Sequence, residues 1–168
     1  MDQENRIFHS LTEGDIDLSK VITLIKGFLE EVPSAKYSLV IGTDSQEKFE
    51  DGQKSVNLIT AVIVHRKGFG GRYFWSKKII QKIHSLRDKI YAETFSSLDF
   101  ARDFIPLFKK ALNGKNPDYD LEIHIDVGEH GDTRDMIKEV VGIVSGNGFI
   151  AKTKPHAYGA SYVADKHT

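Results

Sequence analysis

The 168-residue chain contains no cysteine. That absence removes disulfides, thiolate metal sites and cysteine nucleophiles, and it suits a reducing compartment. An excess of charge is missing too: 23 Lys and Arg stand against 24 Asp and Glu, a formal net charge of -1. Bulk attraction to a phosphate backbone is thereby excluded, so nucleic acid has to be argued from a site. No segment approaches the roughly 18 consecutive apolar residues of a membrane span. The opening MDQENRIFHS is polar and acidic, unlike the basic start and apolar run of a signal peptide. Repeats and low-complexity segments are absent. With 40% hydrophobic and 28% charged residues, the expectation is a soluble cytoplasmic protein. It has one domain over residues 1–168, of which 1–36 are an N-terminal helical extension, and no membrane association.

The elements follow from periodicity. Val21, Ile22, Leu24, Ile25, Phe28 and Leu29 recur at helical spacing until Pro33. Ser38 to Asp44 reads as a short buried strand, followed by a polar loop, EKFEDGQKS. VNLITAVIVH and RYFWSKK, joined by KGFGG, read as a hairpin. A long helical stretch then carries Leu86, Ile90, Tyr91, Thr94, Phe95 and Leu98 on one face, with Ser85 and Asp88 as its cap. Pro106 is expected to kink or divide it near Ile105. In LEIHIDVG, Leu121, Ile123, Ile125 and Val127 alternate with Glu122, His124 and Asp126. A helix over TRDMIKEVVGIVSGNG, capped by Asp132 or Thr133 and closed by Gly146 or Gly148, leads to a fifth strand, FIAKTK, and a final helix in SYVADKHT. Strands joined through helices lie parallel and the opening meander antiparallel, so the fold class is α/β, a mixed five-stranded sheet with helices on its faces.

Four carboxylates occupy telling places: Asp44 at the end of the first strand, Glu93 early in the first long helix, Asp126 at the end of the fourth strand, and Asp165 in the last helix. If the first and fourth strands are central neighbours, Asp44 and Asp126 face one another and repel unless a cation intervenes. Hard oxygen ligands suit Mg²⁺ or Mn²⁺. Two such ions roughly 4 Å apart activate water on one side of a phosphodiester and stabilise the leaving oxygen on the other. Each acid also has a plainer reading: Asp44 and Asp126 as turn residues, Glu93 on a solvated helix face beside Asp88, Asp99 and Asp103, and Asp165 at a frayed end.

The element order, together with IGTDSQ, the Glu of YAETF, GGRYF, DVGEHGDTRDMIKEVVG and the closing KPHAYGASYVADKHT, resembles the YkuK family of bacterial ribonuclease H-like proteins over almost the whole chain. The resemblance implies a sheet in order 3-2-1-4-5 with the second strand antiparallel. It matches Asp44, Glu93, Asp126 and Asp165 to the family's acids, and His156 to a mobile histidine that assists proton transfer or product release. It departs from the usual pattern in reading TDSQ for TDGS, in lacking a basic protrusion between the fourth and fifth strands, and in ending three residues after Asp165.

The implied function is a nuclease dependent on Mg²⁺ or Mn²⁺ that hydrolyses RNA or RNA/DNA hybrid through a two-metal carboxylate mechanism. Its counterpart is a catalytically inactive nucleic-acid-binding or regulatory module on the same fold. Three smaller features remain. His124 and Asp126 could form part of a zinc site, although no HExxH-type motif is present. Tyr73, Phe74 and Trp75 could stack bases or simply pack. Lys77, Lys78, Lys82 and Arg87 form a short basic run.

Overall fold

The computed structural model describes residues 6–80, 83–129, 131 and 133–167, with only the backbone of Ala160, Ala164 and Asp165. Its strands are β1 (Phe8–Ser10), β2 (Gly14–Ile16), β3 (Tyr37–Glu50), β4 (Gln53–Arg66), β5 (Gly71–Ile80), β6 (Tyr119–His124) and β7 (Ile150–Lys152). The helices are α1 (Leu18–Glu31), α2 (Leu86–Leu112), α3 (Ile137–Gly146) and α4 (Gly159–Lys166). One sheet runs β2-β1-β5-β4-β3-β6-β7. Its five strands from β5 to β7 have the expected 3-2-1-4-5 order, with β4 antiparallel and β6 and β7 parallel. The N-terminal hairpin β1-β2 adds two strands at the β5 edge, so the first 36 residues are not wholly helical.

Alternation along the strands sorts the sheet into two faces. Leu39, Ile41, Val62, Val64, Phe74, Ile123 and Ile125 meet Val21 and Ile25 of α1, Leu98 and Phe104 of α2, and Val140 and Val144 of α3 in the main core. Ile59, Ala61 and Trp75 face the other way and are covered by Val163 of α4. Helices therefore lie on both faces, three against one. The end of α1 is tied to the sheet by Tyr37, whose hydroxyl donates to the Val32 carbonyl at 2.9 Å, and by Arg66, which donates to the Phe28 carbonyl.

Three local expectations need correction. The stretch EKFEDGQKS is not a loop: β3 and β4 continue as a two-stranded arm to a tight turn at Asp51 and Gly52, both at positive φ, the conformation such a hairpin turn requires. Pro106 does not divide α2, which runs unbroken for 27 residues. The stacked rings of Phe100, Phe104 and Phe108, at 5.4 and 5.3 Å, bury one face across the proline and outweigh the lost amide bond. Finally, α3 is preceded by a 3₁₀ turn over Arg134–Met136 and has no side-chain cap. Thr133 instead accepts the Gly128 N–H, and Asp132 lies outside the described residues. The Ser85 cap of α2 forms as expected, accepting from the Asp88 N–H at 3.1 Å.

Gly159 sets how closely α4 approaches the sheet. A Cβ there would lie 2.7 Å from Val40 Cγ1, and Val40 is fully buried and stiff in χ1. Gly159→Ala should therefore lower stability by about 1–3 kcal/mol, despite alanine's better helix propensity. The urea midpoint of the variant, compared with that of wild type at equal m-value, measures this.

Candidate active site

Strands β3 and β6 pair in parallel from Tyr37↔Tyr119 to Gly42↔His124 and then part. β3 continues, still paired to β4, whereas β6 ends. Asp44 and Asp126 each sit two residues beyond this last rung, so neither closes a strand in the expected way: Asp44 is mid-strand and Asp126 just past one. Both positions are stiff. Asp44 pairs with Ile59 and is 9% exposed. Asp126 is flanked by Ile125, whose N–H donates to the Lys152 carbonyl, and Val127, whose carbonyl accepts the Lys154 N–H. Alternation places Asp44 on the sheet face opposite Thr43 and Ser45, which bond to α2.

Glu93 enters from α2. Because β6 has ended, the Ser45 N–H on that edge of β3 has no strand partner, and Glu93 Oε1 accepts it at 3.0 Å together with the Ser45 hydroxyl at 2.6 Å. The other oxygen, Oε2, is buried and has no hydrogen-bond partner among the described residues. At 2% exposure Glu93 is no solvated helix acid. Burial pushes its carboxyl up to about 7; the Ser45 bonds oppose this, and the charges of Asp44 and Asp126 add to it. Three acids from three elements thus share one electrostatic field.

A fourth member was not singled out from sequence. Lys154 Nζ lies 2.8 Å from Asp126 Oδ1. The hydrogen bond and charge of Asp126 hold the ammonium above its ordinary range, with further contributions from Asp44 and Glu93. The KTKP stretch carried the signal, a lysine two residues past β7, the strand that pairs with β6. His156 is exposed on the turn two residues further on, its N–H donating to the Thr153 carbonyl. The backbone of Asp165 lies in α4, as expected, and its side chain is outside the described residues. Among the described residues, no three acids or histidines are close enough to enclose a metal ion.

His124 is a structural residue. Its Nδ1 accepts the N–H groups of Tyr158 and Gly159 at 3.2 Å, at the start of α4, while Nε2 lies 3.0 Å from Glu122 Oε2. An Nδ1 that accepts requires the proton on Nε2, which then donates to Glu122. Neither nitrogen keeps a lone pair for zinc. Of the other candidates, Phe74 is in the main core and Trp75 is covered by the ring of His167, stacked at 3.7 Å, so these aromatics pack rather than offer a stacking platform. The glycines of GFGG form the β4–β5 turn. The basic run is dispersed: Lys77 and Lys78 alternate across β5, Arg87 is paired with Glu139 at 2.8 Å, and Lys82 lies outside the described residues.

The Glu93 carboxyl has a pH consequence. Its folded-state pKa lies above the ordinary 4.5, so the contribution of this group to stability is fully present below that value and is lost as pH rises through about 7. The loss is about 3 kcal/mol. Glu93→Gln keeps an acceptor for Ser45 but cannot ionise. In urea denaturation with chelator present, the stability of the wild type relative to the variant should fall between pH 5 and pH 8, and the variant should be the more stable at pH 8.

Comparison with known proteins agrees with the fold class. A family model described as ribonuclease H-like matches residues 20–168. The chain is 34% identical over 170 residues to YkuK of Bacillus subtilis (strain 168), an uncharacterised protein, with 96% of each chain covered. No solved structure matches significantly. The sheet order, the acids at its parting strands and the extent of both matches establish that the chain belongs to the ribonuclease H-like family.

Proposed function

We propose that this protein is a divalent-cation-dependent phosphodiesterase acting on nucleic acid, RNA or RNA/DNA hybrid. The observation that carries the reading is Glu93: a buried carboxyl with one oxygen lacking a partner, in the field of two further acids. An orphaned buried carboxylate oxygen costs free energy unless a proton or a cation satisfies it, and the hard oxygen donor set fits Mg²⁺ or Mn²⁺. Asp44, Asp126, Glu93 and Asp165 would hold the ion. When bound, it supplies an acidified water and positive charge opposite the phosphate.

The chain's own groups divide the remaining work. Asp44 and Asp126, fixed by strand pairing, orient the ion-binding oxygens with little reorganisation. Glu93, whose carboxyl burial pushes up, would be held ionised by a bound cation, whose positive charge opposes the effect of burial. His156, exposed two residues after Lys154, would carry a proton toward the departing oxygen or help release product. A second reading, a nucleic-acid-binding module without turnover, draws on the Lys154–Asp126 ion pair, which already answers one acid with a cation.

Two measurements test the reading. Saturating Mg²⁺ or Mn²⁺, at 100 times its dissociation constant, should stabilise the wild type by about 2.7 kcal/mol, and Asp44→Asn should lose that gain. Labelled hybrid, RNA and DNA substrates should be cut only with the metal present, and Asp126→Asn should reduce the rate by on the order of 10²-fold or more. Tight substrate binding without cleavage in any metal would select the binding module.

A further inference from the structure

The helix α4 is too short to hold its own place. Its eight residues are fewer than an isolated helix needs in water, so its position comes from what it touches on the sheet. Three positions four residues apart make that contact, the spacing of a single helix face. At the start, Gly159 lies against Val40 of β3 and His124 of β6. In the middle, Val163 is fully buried with Ile59 and Ala61 of β4 and Trp75 of β5. Just past the end, the ring of His167 lies on Trp75, centroids 3.7 Å apart and 14° from parallel, and its Nε2 is 2.9 Å from the Tyr73 hydroxyl. The helix therefore crosses the strands from β6 to β5, with an imidazole at each end: His124 reaches up from the sheet, and His167 reaches down to it.

The surface under His167 is itself rigid. Trp75 pairs with Ala61 of β4 on one side and with His9 of β1 on the other, and His9 is in turn tied to Asp15 of β2 at 2.6 Å. Tyr73 lies two residues along the same strand face, its ring 5.7 Å from that of Trp75. A ring that is both stacked and hydrogen-bonded there is fixed in distance and in direction, whereas Val163 supplies apolar contact without direction. Val163 and His167 bracket Asp165, two residues to either side. The place of the Asp165 backbone is thus set by the stack together with the hydrophobic contact.

We propose that Tyr73, Trp75 and His167 form a clasp that positions the end of α4 over the sheet, and with it Asp165 for the candidate site. All three are positioning residues, acting through the helix rather than on substrate. The role given to Asp165 rests on the phosphodiesterase reading above; the docking of α4 stands apart from it.

The test compares the full-length wild type with His167→Ala and His167→Phe in three measurements. These are amide hydrogen exchange, acrylamide quenching of Trp75, the chain's only tryptophan, and steady-state cleavage of the labelled substrates with Mg²⁺ or Mn²⁺. His167→Ala is expected to speed exchange in α4 by on the order of tenfold while the amides of β3 and β4 keep their protection, and to raise the quenching of Trp75. It should also lower kcat by on the order of 10²-fold, with KM within about threefold of wild type. His167→Phe keeps a ring to stack and should restore most of each property. Should His167→Ala fail to fold, Tyr73→Phe removes only the hydroxyl and is expected to speed exchange in α4 about fivefold, with a fall in kcat. Faster exchange throughout the sheet, unchanged exchange in α4, or a wild-type kcat in His167→Ala overturns the proposal and leaves the phosphodiesterase reading standing. No cleavage by wild type with either metal overturns the phosphodiesterase reading and the role of Asp165, while exchange and quenching still decide whether the clasp holds α4.

Discussion

A strand whose parallel neighbour stops short keeps one edge of its backbone unpaired, and a buried amide on that edge must find another acceptor. Here β6 parts from β3 after Gly42↔His124, and the acceptor for Ser45 is Glu93. Much of the candidate site follows from that single requirement. The amide draws a carboxylate from α2 into a buried position, burial keeps its second oxygen from water, and Asp44 and Asp126 stand at the same parting of strands. The fold thus concentrates negative charge at a place where the sheet's own hydrogen bonding is interrupted. This is the general position of sites in open α/β sheets, beyond the carboxyl ends of the strands.

Elements with strong period were legible from sequence. The hydrophobic repeat of α1, the Ser85 cap and the alternation of Leu121, Ile123 and Ile125 needed only local physics, the crossovers through helices gave the parallel and antiparallel senses of the strands, and their order came from the resemblance. What escaped was decided by tertiary contacts or by weak local signal. The Asp51-Gly52 turn, a recognised hairpin pair, was hidden in a charged stretch that resembles a loop because both faces of the arm meet solvent at its tip. Pro106 obeys local sterics only until three stacked phenylalanines hold the helix together. Lys154 had no periodic signature at all. Its meaning depends on which strand lies next to it, and that is a property of the sheet rather than of the residues around it.

His124 shows how easily a functional-looking residue is absorbed by structure. Alternation places it on the same strand face as Asp126, yet its ring serves as the acceptor at the start of α4, orienting the helix that carries Asp165. Gly159 makes this possible, since its missing side chain lets the helix backbone descend onto the imidazole and Val40. The histidine and the glycine, 35 residues apart, form a single joint. Through it the last element of the chain is referenced to the central sheet rather than to its own short sequence.

The outer rim of β5 carries a different lesson. Among the described residues, β1 meets β5 at one rung, His9↔Trp75, so the distal part of β5 from Lys77 onward is not covered by β1. An edge strand invites another polypeptide to add itself by backbone pairing and begin an aggregate. The two lysines that failed to make a common patch are suited to this place, because they project from opposite sides of the strand. An incoming chain meets a lysine on either side of the strand, which opposes such pairing.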